Sequence, residues 1–422
     1  MKHQPSLRPP AQFRVHSLAA PLFLAIAVLL CLPRASAAEP RNYAFDGSIS
    51  RQVLENYLSR SITMMDLLTG VGDPADNIRM LKDIGAKFAG RTIYRWGGES
   101  GLPDILATAR TLVPKVREAI PDMILQAGIF EIVSTDVEKL PIPAYVFEEF
   151  GLPVEQRNFR YEAMLFPNGR FRDHWTPGAS VPDISQQETR LWFFYLAAEY
   201  INVGCESIHW GQVALIGAND PGYKHWWDVL SRARAYAKTH ARRHLLLCDA
   251  HTPDGGPLYD GDKLLFDAHA FPLRIEDDLS KPQNGVLRVG YADSLYGRSK
   301  GGKTPSGWTC DHLPYLVELD NWGASGKEGK HINEPWVWGY DEIGWFARQP
   351  ETYRNDWLRY AFDWLREHDP NAFLEMPGSR CLAVPVEGKD GRRLSWYFAN
   401  RPSPKVPTGF NQEDAIKAIW AE

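Results

Sequence analysis

A chain of 422 residues is long enough for one large core, and an α/β barrel with insertions uses this length as a single unit. Its hydrophobic fraction of 44% is ordinary for a globular protein, and a formal net charge of -5 lacks the basic excess of a nucleic-acid binder. Five cysteines without a C-x-x-C pair suggest neither zinc-ribbon nor thioredoxin chemistry.

Residues 1–37 read as a secretory signal peptide. Lys2, Arg8 and Arg14 precede an apolar run from about Leu18 to Leu32, and Ala35-Ser-Ala37 supplies the small residues of a cleavage site. The run is short for a membrane span and the sequence after it is polar, so we expect a secreted or periplasmic protein with no stable membrane anchor. Cys31 leaves with this segment. Cys205, Cys248, Cys310 and Cys381 remain, where export permits one or two disulfides and burial as free thiols is the alternative.

Residues 38–422 are expected to form a single domain. A short helix from Ser50 to Arg60 leads into a first strand, Ile62 to Leu68, with Asp66 near its end. Asp73-Pro74 is a cap-and-proline helix start, and Ile78, Leu81 and Ile84 follow at helical spacing up to Gly85. Phe88 to Trp96 reads as the second strand and carries Arg95 and Trp96 to its end; a helix from Leu102 to Ile120 follows. The third strand, Met123 to Phe130, runs straight into Glu131. Residues 134–185, rich in Pro, Gly and aromatics, form a first insertion before the helix Gln187 to Val203.

Ser207 to Gln212 is the fourth strand, with His209 and Trp210, and Asp220-Pro221 opens a helix whose apolar face holds Trp226, Leu230, Ala233 and Ala237. His244 to Asp249 and Leu264 to Asp267 read as strands five and six. Each ends in an Asp-Ala-His run, Asp249-Ala-His251 and Asp267-Ala-His269. A second insertion, residues 272–313, contains an Asn284-Gly285 turn and predicts a hairpin. Pro314 to Trp322 is the seventh strand and Ala372 to Glu375 the eighth, with a helix through Trp357, Ala361, Trp364 and Leu365 between them. The tail, with Trp396-Tyr-Phe398 and a helix around Gln412 to Trp420, is expected on the outside. Eight strands, most followed by helices, predict an α/β fold, a (β/α)8 TIM barrel with long βα-loop insertions.

Such a barrel builds its site at the C-terminal strand ends. Glu318 and Asp320, two apart on the seventh strand, share one face, and unpartnered buried carboxylates are costly. The pair therefore belongs at a pocket mouth, on an ion-pair network or on a metal. Two carboxyls across a pocket cleave a glycosidic bond, one protonating the leaving oxygen and the other attacking or activating water. Glu318 is the first candidate for nucleophile or base, with Glu131, Asp249 and Asp267 as candidate partners. The sequence holds 15 Trp and 17 Tyr, and aromatic rings beside acids suit a carbohydrate substrate. Candidate substrate-binding residues are Asp66, Arg95, Trp96, His209, Trp210, His251, His269, Asp320, Trp322 and Glu375. No cofactor is expected and no metal ligand is assigned.

A secreted, tryptophan-rich barrel with a Glu at the end of strand seven resembles the glycoside hydrolases of the (β/α)8 superfold. For their largest clan the resemblance implies that this Glu is the nucleophile and that a Glu after strand four is the acid/base. The fourth strand here departs from that pattern, offering His209 and Gln212 with no matching acid. Asn333-Glu334-Pro335 resembles the clan's acid/base tripeptide but follows strand seven. Two other readings compete. In one, Asp249, His251, Asp267 and His269 bind a divalent ion in a metal-dependent hydrolase. In the other, the barrel binds carbohydrate without catalysis.

Overall fold

The computed structural model describes residues 41–252, 259–292, 300–333, 335–388 and 391–421. The expected signal peptide, residues 1–37, and Glu334 lie outside the described residues. Eight parallel strands close into a barrel: β1 (Ser61–Met64), β2 (Phe88–Ile93), β3 (Ile124–Gly128), β4 (Ser207–Gln212), β5 (Leu247–His251), β6 (His269–Pro272), β7 (Tyr315–Glu318) and β8 (Ala372–Glu387). β8 pairs back onto β1 and closes the ring. It then runs past the barrel and returns antiparallel as β9 (Arg393–Phe398), so Trp396 to Phe398 extend the sheet instead of only covering the outside.

Local chemistry sets the helices around the ring. α1 (Arg51–Leu58) starts at Ser50, whose side chain accepts from the Val53 N–H. α2 (Pro74–Ile84) is capped by Asp73, has Pro74 in its first turn and stops at Gly85, which takes the left-handed φ of 77° that glycine tolerates best. α3 (Leu102–Ala119) continues through Pro114, and α4 (Gln187–Val203) is buried on nearly every side. α5 (Lys224–His240), α6 (Glu342–Arg348), α7 (Glu351–His368) and α8 (Glu413–Trp420) complete the outer layer. Among the described residues, no α-helix joins β5 to β6 or β6 to β7. Short strands take that place, including a hairpin that pairs Glu276–Asp277 with Gly285–Val286.

The predicted sixth strand needs correction. Lys263–Leu264 belongs to a small separate sheet, and Leu265 and Phe266 are buried in the main core. The barrel strand begins only at His269, so the apolar run Leu264 to Asp267 is its approach and not its body.

The barrel interior has two tiers. At its base, Phe88, Ile124, Leu247, Ala268 and Leu316 form an apolar cluster with Val53, Leu54, Tyr57 and Leu58 of α1. Fully burying side chains of this kind contributes about 1.5–3 kcal/mol each. Two residues further along the strands the same face turns polar with Gln126, Asp249, Glu318 and Glu375, all buried. Among the described residues, no helix is long and apolar enough to cross a membrane. Cys205, Cys248, Cys310 and Cys381 are free thiols.

Candidate active site

The polar tier is organised around Arg91. This residue has a left-handed φ of 56° where the β2 register breaks between Ala89 and Ile93. Its guanidinium pairs with Glu318 and, at 3.1 Å, with Glu375. Gly90 is required beside it, because a Cβ there would run into the Glu375 carboxylate. From the extension of β8, Arg380 donates to Glu318 Oε2 and to Asp320 Oδ1, both at 2.6 Å. His251 Nε2 lies 3.1 Å from Glu318 Oε1.

Glu318 is therefore held by three donors and is 1% exposed. Burial alone would raise its carboxyl, but Arg91, Arg380 and His251 outweigh it and hold the group well below the usual range. Its neighbours behave oppositely. Burial pushes Glu375 up to about 7, with Glu318 adding to the rise and Arg91 opposing it. Burial likewise pushes Asp249 up to about 7. Asp249 accepts from Gln126 Nε2 at 2.6 Å and faces His209 Nδ1 at 3.0 Å. Burial, then Arg91 and His251, hold His209 well below its ordinary value. Burial opposes a charge on His251, but its bond to Glu318 and the charges of Glu318 and Asp320 together outweigh it and raise the group.

Above this tier a cavity of about 500 Å³ opens at the C-terminal strand ends. Two of its lining residues are carboxylates. Glu131, three residues past β3, accepts from the Gln212 N–H at 3.0 Å and from Gln212 Nε2 at 3.1 Å. Asp320, two residues past β7, has a side chain 18% exposed and also accepts from the Asn321 N–H at 2.8 Å. In a ring of eight strands, β3 and β7 stand opposite each other. Gly211, with φ 56°, leaves room for the Glu131 carboxylate, which a Cβ would strike.

Aromatic rings form the walls. Trp96, 47% exposed, meets Trp175 and Phe130 edge-on at 4.9 and 5.7 Å. Trp175 comes from the first insertion, and its Nε1–H donates to the Glu131 carbonyl at 2.8 Å. Across the cavity, Trp322, 37% exposed, stacks on Trp336 at 3.7 Å, and its Nε1–H donates to Glu342 Oε2 at 2.9 Å.

Of the predicted site residues, Trp96, Glu131, His209, His251, Asp320 and Trp322 meet at this cavity. Glu318, Asp249 and Glu375 belong to the buried tier instead of the cavity wall. Asp66 sits just past β1, where burial raises it to about 6 against hydrogen bonds from Tyr94 and Thr69. Arg95 does not reach the cavity and donates to the Gly98 carbonyl in its own loop.

Three placements are corrected by strand alternation. Trp210 follows the inward-facing His209, so it points outward and is fully buried against Trp226 and Phe193. Asp267 precedes β6 and pairs with Arg234 of α5 at 3.0 Å, while accepting from the Cys248 N–H. His269, at the start of β6, is buried against Phe271 and bonded to Thr252 Oγ1 at 3.0 Å; burial lowers it to about 3. The four residues of the metal reading therefore do not converge, and no cluster of three such ligands occurs among the described residues.

Sequence reading missed Arg91, Arg380, Tyr94, Phe130 and Cys381. An arginine inside the apolar run Phe88 to Ile93 was the one available signal for Arg91.

No family model matches the chain, and no curated protein matches it. Among solved structures it is similar to endo-glycoceramidase II from Rhodococcus sp., with 11% identity over 85% of this chain and 77% of that one, at a TM-score of 0.35. It is also similar to the glycoside hydrolase domain of PelA from Pseudomonas aeruginosa, with 10% identity over 71% and 90% of the two chains and a TM-score of 0.28. A third is a GH27 β-L-arabinopyranosidase variant from Geobacillus stearothermophilus, with 11% identity, a TM-score of 0.30 and 51% of this chain covered. The chain spans 55% of that protein's length.

Proposed function

We propose that this protein hydrolyses glycosidic bonds in an oligosaccharide or polysaccharide, with Glu131 and Asp320 as the carboxyl pair. One observation carries the reading: two carboxylates face one aromatic-walled cavity from opposite strand ends. Cleavage needs a proton delivered to the leaving oxygen and a carboxylate that attacks the anomeric carbon or activates water. Asp320, oriented by Arg380 at 2.6 Å, suits the carboxylate role. Glu131, held across the cavity by the neutral donors of Gln212, is left to deliver the proton. Glu318, the first candidate from sequence, is on this reading the buried anion that fixes Arg91 and Arg380 under the floor. Trp96 supplies an apolar face for the sugar, while Trp322, stacked on Trp336 with Arg274 over its ring, shapes the opposite wall. The basic, apolar and small-residue pattern of residues 1–37 supports export to meet such a substrate.

The test is a panel of aryl glycosides and soluble polysaccharides, run with and without a chelator. Turnover unaffected by the chelator and lost in Glu131→Gln and in Asp320→Asn is expected. Turnover of no member, or either variant as active as wild type, rejects the assignment.

A further inference from the structure

His209 has one ring nitrogen that no group among the described residues answers. The ring is fully buried on β4 and lines the cavity. Its Nδ1 faces Asp249 Oδ2 at 3.0 Å, whereas Nε2 is buried with no hydrogen-bond partner among the described residues. An unanswered buried polar atom is costly, and native structures rarely leave one without a ligand, water or functional reason.

The surroundings decide what Nε2 offers. From β2, Arg91 repels a second positive charge, and so does His251 on β5, 4.8 Å away ring to ring and turned edge-on. Glu318 and Asp320 on the β7 side favour a charge, and Asp249 faces the ring directly, but burial and the cations prevail. His209 is therefore neutral. With Asp249 ionised, the proton sits on Nδ1 and points at the carboxylate, which leaves Nε2 as a bare acceptor. When the dyad takes up one more proton, Nε2 carries hydrogen and becomes a donor. A hydroxyl group can answer either state, since it both donates and accepts.

We propose that His209 Nε2 is the atom that positions one hydroxyl of the bound sugar, with Asp249 setting its tautomer, so that the site selects a substrate carrying a free hydroxyl there. The inference rests on the carbohydrate reading of the cavity and names which atom enforces it. His209 is on this view a positioning residue that touches substrate, distinct from the carboxyl pair.

The experiment uses the full chain with ¹⁵N-labelled histidine and long-range ¹H–¹⁵N spectra, which read the two ring nitrogens separately. His209 should appear neutral with Nδ1 protonated at pH 8. Its Nε2 resonance should move on adding methyl glycosides with free hydroxyls and stay put with their permethylated counterparts. His209→Gln should weaken binding of the responding glycoside roughly tenfold, the size of one hydrogen bond, while the tryptophan fluorescence of the folded protein is retained. An Nε2-protonated neutral ring at pH 8 overturns the proposal. So does an Nε2 resonance that no glycoside moves or that permethylated sugars move equally. A responding His209 in a protein that turns over no glycoside refutes hydrolysis alone; turnover with an unmoved His209 refutes this inference alone.

Discussion

Replacing Glu318 by Gln separates a buried structural charge from a reacting one. In the native protein its two oxygens accept from Arg91, Arg380 and His251, and both arginines are almost completely buried. The variant keeps Arg91 paired with Glu375 and Arg380 paired with Asp320, but an amide offers one acceptor oxygen and turns an NH2 group toward donors. Breaking a buried pair in this way costs about 3–5 kcal/mol. The unit Arg41–Glu422 has about 380 residues, and roughly 2.1 cal/mol/K per residue gives on the order of 0.8 kcal/mol/K for its unfolding entropy. The cost therefore corresponds to a fall in Tm of about 4–6 °C. Asp320→Asn is the control: its side chain is partly exposed and Arg380 retains Glu318, so about 1 kcal/mol and about 1 °C are expected. Differential scanning calorimetry of both variants measures the contrast. Glu318→Gln melting within about 1 °C of wild type, or Asp320→Asn losing as much as Glu318→Gln, refutes the two-tier assignment.

On the aryl glycoside that responds best, Glu131→Gln and Asp320→Asn should each lower kcat by about 10²–10⁴ with near-native melting, as measured in initial-rate assays. Trp96→Ala removes a half-exposed ring that touches its neighbours only edge-on, so titration calorimetry should show sugar affinity falling by about 1 kcal/mol with Tm unchanged. Glu342, which anchors the Trp322 indole, is raised by burial to about 7, with Arg274 opposing the shift. Between about pH 4 and 7 the native state keeps a proton that the unfolded chain gives up, so this group's contribution to stability falls as pH rises through that window. Glu342→Gln should flatten the decline by up to about 3 kcal/mol in denaturation curves from pH 4 to 8, and an unchanged slope would count against it.

Much of the ring was legible because most of its strands are short apolar runs that end in polar residues, and α2 and α4 appear within a residue of their sequence limits. Strand six was not. The run Leu264 to Asp267 is as apolar as a barrel strand, and only the tertiary register shows that β6 starts at His269. Strand alternation could have sorted two assignments in advance. His209 and Trp210 are neighbours in a strand and cannot share a face, so assigning both to the cavity was internally inconsistent. The same rule links Asp267 to His269, and both leave the interior together. Arg91 was hidden by a left-handed residue in mid-strand, which breaks the alternation a reader relies on. Arg380 was hidden because β8 continues for twelve residues past the predicted end at Glu375, and the extension carries the arginine back over the barrel mouth.

The two tiers divide stability from chemistry along the barrel axis. The base is apolar and sealed by α1, so its burial energy does not depend on pH. Two or three residues further along the strands the interior is ionic: Arg91 and Arg380 face Glu318 and Asp320, while Asp249 and Glu375 titrate near neutrality because burial opposes their charge. Raising the pH through about 7 adds negative charge beneath the cavity, while the apolar base holds no carboxylate or histidine to respond. The effect should be felt first by whatever sits at His209 and Asp320. A pH profile of sugar binding that breaks near 7, in a protein whose melting shows no unfolding there, is the signature that this arrangement predicts.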